Sequence, residues 1–234
     1  IINLINSEEK NIKIAAYQFS VTTKYQHSIY RPLKKDFNPD VILASGNITK
    51  KNFSKKFSCP VKVLGSNKFN NQSILKSKEK TFLIIPEAFS SETSLLLELT
   101  IKLAKLLPDY KFIFRCHPMM SDLNIKNTIK NHRNIRLSGS ALEQDANLSK
   151  YVLFRGSAAV FEAVLKNAIP IYFDTNNNFN INPFKEIFPK SQNISKPSDI
   201  LKFIKKKRNT NNRKKLINYA SNYFTKIDIS SIDI

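Results

Sequence analysis

The chain is short of acid: 18 Asp or Glu stand against 38 Lys or Arg in 234 residues, for a net charge of +20 and a pI near 9.9. A field of that sign draws anionic partners, whether nucleic acid, acidic lipid or phosphorylated substrates. Glycine is scarce too, at four residues, in a chain rich in Asn, Ile and Lys. That is the imprint of AT-rich coding sequence, to which roughly half of the charge excess is assigned. Only two cysteines occur, Cys59 and Cys116, far apart and in unlike contexts. They exclude a disulfide framework and match no metal-ligand spacing, so a reducing cytoplasm and no bound metal are expected. No apolar run approaches the roughly 18 residues of a membrane span, so the chain is read as soluble or peripheral. It begins with Ile1, and it is therefore expected to be a piece of a longer product.

A hydrophobic fraction of 41% and 17 Phe are enough for a sizeable core. Short apolar runs, Ile1–Ile5, Ile12–Val21, Val41–Ala44 and Val61–Leu64, predict strands, with a helix over Ile48–Phe57 capped by Asn47 or Thr49. Between Val21 and Pro39 lies a polar stretch carrying Tyr25, His27, Tyr30 and Arg31, read as a functional loop. Residues 1–70 are thus assigned to a first α/β half and the polar segment 71–80 to a linker. Residues 81–234 form the second half, where the rhythm becomes strict. Strands are predicted at Thr81–Pro86, Lys111–Cys116, Ile135–Leu137, Tyr151–Phe154 and Ile169–Phe173. Helices fall between them, the longest starting at Ser90-Ser91-Glu92 with Leu95, Leu96, Leu99, Leu103 and Leu106 on one face. A short helix is expected near Lys185–Phe188, with two more over Ile200–Lys207 and Arg213–Phe224. Strand and helix in strict alternation give a parallel, helix-covered sheet.

The stretch Tyr151–Asp174 is a βαβ unit with Arg155-Gly156-Ser157 at its turn. Ligands of such units sit outside the carboxyl ends of the strands, where helix N–H groups meet an anion. His117-Pro118 occupies the equivalent place after its own strand, although a lone histidine there also serves as a plain strand-end cap. Arg115 and Arg155 precede the two turns and are fork-shaped phosphate donors if they point inward, solvent-facing strand residues if they do not. Glu87 ends the first strand of this half. Glu162, among apolar neighbours Phe161, Ala163 and Val164, wants a partner. Either carboxylate can accept ribose hydroxyls.

FRCHP followed by RGSAAVFEAVLKNAIPIYF resembles the donor half of GT-B glycosyltransferases. Its HP and S motifs are similar to those of bacterial sialyltransferases and Kdo transferases, and AAYQFSV with PDVILASG resembles a stretch of surface (capsular and O-antigen) polysaccharide transferases. The resemblance implies a GT-B-like α/β fold of two Rossmann-like parallel-sheet halves, the first incomplete. It further implies an inverting, metal-independent transfer from a CMP-activated acidic sugar such as Kdo to a glycan or lipid-linked acceptor. The nucleotide sugar is substrate, and no cofactor is implied. In this reading His117 is catalytic, contacting the donor phosphate. Glu87, Arg115, Pro118, Arg155, Gly156, Ser157, Ala158 and Glu162 line the donor, and Gln18 and His27 are acceptor-side candidates. The pattern departs from the family at Phe19, where a His is usual, at Ala158, where a second Ser is usual, and at Asn167, where a Gly is usual. No base is assigned; Asp36 and Asp40 lack context, and Glu8 and Glu9 are weak candidates.

Two alternatives remain. A CDP-polyol phosphotransferase of teichoic-acid type uses similar HP and Ser motifs. A basic nucleic-acid-binding module fits the charge but lacks any recognition motif or aromatics interleaved with basic residues. The stretch KFIKKKRNTNNRKK suits an anionic membrane surface as well as it suits plain solvation.

Overall fold

The computed structural model describes residues 12–23, 25–26, 34–69, 79–121, 123–175, 179–206 and 210–231. The expected strand Ile1–Ile5, and Glu8, Glu9, His27, Tyr30 and Arg31, lie outside the described residues. The chain divides into two units, residues 1–70 with 218–234, and residues 71–217. This differs from the sequence-derived division, which keeps 81–234 together.

The first unit holds three parallel strands in the order β1-β2-β3: β1 (Ala15–Tyr17), β2 (Val41–Ala44) and β3 (Val61–Val63). Helix α1 (Asn47–Phe53) follows β2. Central β2 is buried throughout, and Ile42 and Ala44 pack with Phe53 and Val61. β1 is an edge strand, so only three residues of the predicted Ile12–Val21 run find a partner. Residues 223–228 close the unit. Ser45 Oγ donates to Tyr223 O (3.0 Å), Thr225 N to Ser45 O (2.9 Å), and Asp228 N to Leu64 O (2.9 Å). Gly46 packs against the carbonyls of Asn222 and Tyr223, and Gly65, at φ +91°, against that of Lys226. A Cβ at either would overlap backbone.

The second unit is built on six strands: β4 (Glu79–Ile85), β5 (Lys111–Phe114), β6 (Ile135–Leu137), β7 (Ser149–Phe154), β8 (Ile169–Phe173) and β9 (Asn193–Ile194). Its helices are α2 (Ser90–Leu106), α3 (Leu123–Ile129), α4 (Leu142–Leu148), α5 (Ala159–Leu165) and α6 (Pro197–Lys205). The last helix, α7 (Thr210–Tyr223), begins in this unit and ends among the residues of the first. All pairs are parallel, in the order β6-β5-β4-β7-β8-β9. Interior strands of such a sheet are covered on both faces, which is why Phe82–Ile85 and Tyr151–Phe154 read as unbroken apolar runs. The aromatic residues supply the bulk: Phe82 stacks on Phe112 (5.2 Å) and Tyr151 (4.6 Å), and Phe161 on Phe184 (4.4 Å).

Three local expectations change. The buried stripe of α2 is Thr93, Leu96, Leu99, Thr100, Leu103 and Ala104, Thr100 entering the core because its Oγ1 donates to Leu96 O (2.6 Å), while Leu106, the last residue of the helix, is exposed. No helix forms at Lys185–Phe188. Asn182 Oδ1 takes the Phe184 N–H (2.9 Å), and isolated turns follow, because a side-chain acceptor competes with helical bonding there. The last two residues of the expected linker, Glu79 and Lys80, belong to β4.

Candidate functional site

The strand order of the second unit reverses once. The chain moves outward from β4 to β5 and β6, then returns to the other side of β4 with β7. In a sheet of this order the crevice for a ligand lies outside the carboxyl ends of the two strands at the reversal. Those ends are β4, leading to Glu87, and β7, leading to Arg155-Gly156-Ser157. β5, leading to His117, flanks β4 on its other side. Ile84 is level with both Phe114 and Leu153, so the three strand ends come out side by side.

Gly156 lies in the closest part of this arrangement. A Cβ there would stand 2.9 Å from Glu87 Oε1 and 2.7 Å from Ile181 Cδ1. The segment after β8 therefore folds back over the turn, held by Ile181 N–H donating to Tyr172 Oη (3.2 Å) and by Phe184 in the core. Ser157 follows, 7% exposed, and then α5, whose cap residue Ala158 offers no side chain to its first-turn N–H groups. At seven residues α5 is too short for a long helix dipole. The Val160 and Phe161 N–H groups donate to Ser157 O (3.3 Å) and Ala158 O (3.1 Å), so what this turn can offer an anion is the Ser157 hydroxyl and the N–H groups of Ala158 and Ala159. The left-handed conformation of Asn167 (φ 71°) ends α5 and explains the departure from glycine there, since Asn tolerates that region.

Glu87 is the most telling side chain. Its Oε1 is buried and has no hydrogen-bond partner among the described residues. Burial first, and the negative charge of Glu92 second, push its carboxyl above the usual range. A buried acceptor without a donor costs about 1–3 kcal/mol, which a ligand hydroxyl or N–H would offset. His117 is half-buried, and its Nδ1 accepts the Met119 N–H (3.3 Å). The neutral ring then carries its proton on Nε2, a donor. Pro118 beside it is exposed.

The two arginines are placed differently from a phosphate fork. Arg155 is 1% exposed; its Nε pairs with Glu92, and its Nη1 donates to Phe173 O (2.7 Å). It ties the start of α2 to the ends of β7 and β8. Glu92, which the sequence reads as part of a helix cap, turns inward to this arginine instead. Arg115 Nη1 reaches Ser138 Oγ (2.9 Å), Ser140 O (2.6 Å) and Asp145 Oδ2 (3.1 Å). Asp145 is fully buried and also holds Arg136 (3.2 Å) and Ser138. Both arginines thus have protein partners that sequence reasoning missed, because the partners lie far along the chain. Glu162 lies half-buried on α5.

In the first unit the Gln18 amide is engaged: Oε1 accepts the Ser45 N–H (3.1 Å) and lies 2.7 Å from Ser45 Oγ, whose one proton it shares with Tyr223 O, and Nε2 donates to Ser20 O. Asp40 Oδ2 accepts the Ile14 N–H (2.7 Å). His27 is outside the described residues. Among the described residues no group of three His, Cys, Asp or Glu could hold a metal, and no helix is long and apolar enough to cross a membrane.

No protein-family model and no curated protein matches the chain in sequence. Solved structures do match in fold. The pneumococcal O-GlcNAc transferase GtfA, in complex with UDP and GlcNAc, superposes with a TM-score of 0.61 at 13% identity, over 96% of this chain and 52% of that one. A mutant of S. aureus TarM in complex with fondaparinux, alpha-GlcNAc-glycerol and UDP gives 0.56 at 13% identity, over 93% and 48%. The UDP-GlcNAc 2-epimerase of Methanocaldococcus jannaschii, in complex with UDP-GlcNAc and UDP, gives 0.56 at 14%, over 94% and 71%. The chain spans about half the length of the two transferases. These likenesses show the fold, a GT-B-like α/β architecture of two parallel-sheet halves.

Proposed function

We propose that the chain is the nucleotide-sugar-binding part of a glycosyltransferase, with the donor's diphosphate or phosphate at Ser157 and His117 and its ribose at Glu87. The observation that carries this reading is the orphan Glu87 carboxyl at the strand reversal, beside Gly156, where a hydroxylated ligand supplies the missing donors. Transfer needs a sugar hydroxyl to attack the anomeric carbon while the nucleoside phosphate leaves with the electrons of the broken C–O bond. Charge that builds on that phosphate is met by the Ser157 hydroxyl, the N–H groups of Ala158 and Ala159 and the Nε2–H of His117. The basic field concentrates an anionic donor around the protein.

The sequence points to a cytidine-activated acidic sugar, whereas the matching structures hold UDP. A uridine nucleotide is therefore the first donor to test and a CMP-sugar the second. An epimerase acting on a nucleotide sugar would use the same kind of site, and it is favoured by the epimerase match. Calorimetric titration with UDP, UMP, CDP and CMP tests nucleotide binding. Each of His117→Ala and Ser157→Ala is expected to weaken it about tenfold, the worth of one hydrogen bond to a charged group. Absence of binding to all four nucleotides, or affinity unchanged from the parent in both variants, removes this site. Product analysis with the bound nucleotide's sugar then separates transfer, which requires an acceptor, from epimerisation, which does not.

A further inference from the structure

At the opposite, amino end of the second unit's sheet a cavity of about 590 Å³ opens among the starts of β8 and β9 and helices α6 and α7. Its size is in the range of small-molecule sites, about 300–1,000 Å³. One wall is apolar: Ile169 and Pro170 at the start of β8, Phe203 of α6, and Leu216 of α7. The mouth is cationic, with Lys202 exposed on α6, Lys206 exposed just past its end, and Arg213 half-buried on α7, where its Nη2 donates to Asn167 O (2.8 Å). The one carboxylate in the lining, Asp199, accepts the N–H groups of Ser195 and Lys196 (both 3.2 Å) and is spent on capping α6. Gln192 also lines the cavity, 8% exposed, and its side-chain Oε1 is buried with no hydrogen-bond partner among the described residues. A buried amide oxygen left without a donor is a cost the fold tolerates where a ligand supplies that donor.

We infer that this cavity binds an anionic amphiphile: a phosphate-headed molecule with an apolar tail and at least one hydroxyl. The phosphate meets Lys202, Lys206 and Arg213, the tail lies on Phe203, Leu216 and Pro170, and the hydroxyl donates to Gln192. Nothing in this inference uses Glu87, His117 or Ser157, which lie at the other end of the strands. The four residue steps from Ile169 to Phe173 alone span roughly 13 Å at strand rise.

The probe is a short-chain lysophosphatidate, hexanoyl-glycerol 3-phosphate, titrated calorimetrically into the whole chain. Saturable one-to-one binding is expected, weakened about tenfold by Lys202→Glu and by Gln192→Leu, and unaltered in His117→Ala. Lys202 is exposed, so its variant decides the matter if Gln192→Leu does not fold. Glycerol 3-phosphate, which lacks the tail, is expected to bind at least tenfold more weakly; equal binding would reduce the cavity to a bare phosphate site and overturn the inference. A second arm uses phosphatidylcholine vesicles with and without phosphatidate. Pelleting with phosphatidate vesicles that is weakened by both variants, alongside soluble binding, makes a lipid headgroup the source. Soluble binding without pelleting makes it a free metabolite, and pelleting without soluble binding is surface adsorption that overturns the cavity site.

Discussion

Arg115 is expected to hold the protein together and not the ligand, and its removal measures this. Arg115→Ala deletes one guanidinium nitrogen's contacts to Ser138 Oγ, Ser140 O and Asp145 Oδ2. Asp145 is fully buried, and stripping a buried carboxylate of all its partners costs about 3–5 kcal/mol. Arg136 and Ser138 stay in place, so the loss is nearer that of one hydrogen bond to a charged group, about 1.5–3 kcal/mol. In a chain of this length each kcal/mol moves the midpoint by about 2–4 °C, which gives a fall of about 3–12 °C. Asp145→Ala removes both ion pairs and is expected to cost more. The double variant should fall short of the sum by at least about 0.5 kcal/mol, because residues sharing one network do not add. Differential scanning calorimetry reads the midpoints, and titration with UDP reads the site. Should Arg115→Ala melt within about 1 °C of the parent yet bind nucleotide tenfold more weakly, the guanidinium serves the ligand and not the fold.

The remaining predictions turn on single atoms. Gly156→Ala places a methyl against Glu87 Oε1 and Ile181 Cδ1, both ends of movable side chains, so the expected cost is modest, about 1 kcal/mol by thermal melt. The same methyl should weaken nucleotide binding, with Gly139→Ala, whose added Cβ meets nothing within 4 Å, as the unaffected control. Asn167→Gly should melt at or above the parent temperature, whereas Asn167→Ala should lose about 1–2 kcal/mol, since only the latter pays for the left-handed backbone. Glu87 carries a pH signature. Its folded carboxyl holds a proton above the ordinary carboxylate range, so the native state binds more protons than the unfolded one between the ordinary and the raised value. Stability from this group is full below the ordinary value and declines as pH rises through the raised one. The difference between parent and Glu87→Gln stability should therefore change with pH across that window; a pH-independent difference would count against the burial of this carboxyl.

Strands of the second unit were legible because burial on both faces leaves a continuous apolar run, and the strict alternation with helices fixed their parallel pairing. The ends of β4, β5 and β7 were legible for the same reason, and with them Glu87, His117 and Ser157. What the residues bond to was not. Glu92 sits where a capping carboxylate is usual, and only the fold brings Arg155 to it. Asp145 looks like an ordinary residue of an amphipathic helix until the sheet carries Arg115 and Arg136 alongside. β9 is two residues long and has no period to detect. Gln192 gives no sign in sequence, since an orphan amide is a property of its surroundings.

The closing of the first unit by residues 223–228 sets a timetable for synthesis. Ser45 and Tyr223, joined by a hydrogen bond, are separated by 178 positions. At about 5–20 residues per second a ribosome takes roughly 10–40 s to cover that interval. Throughout it the notches at Gly46 and Gly65 stand without the carbonyls that fill them, while all of residues 71–217 have time to emerge and fold. A nascent first unit is then a waiting partner, begun before residues 71–217 and closed only after them.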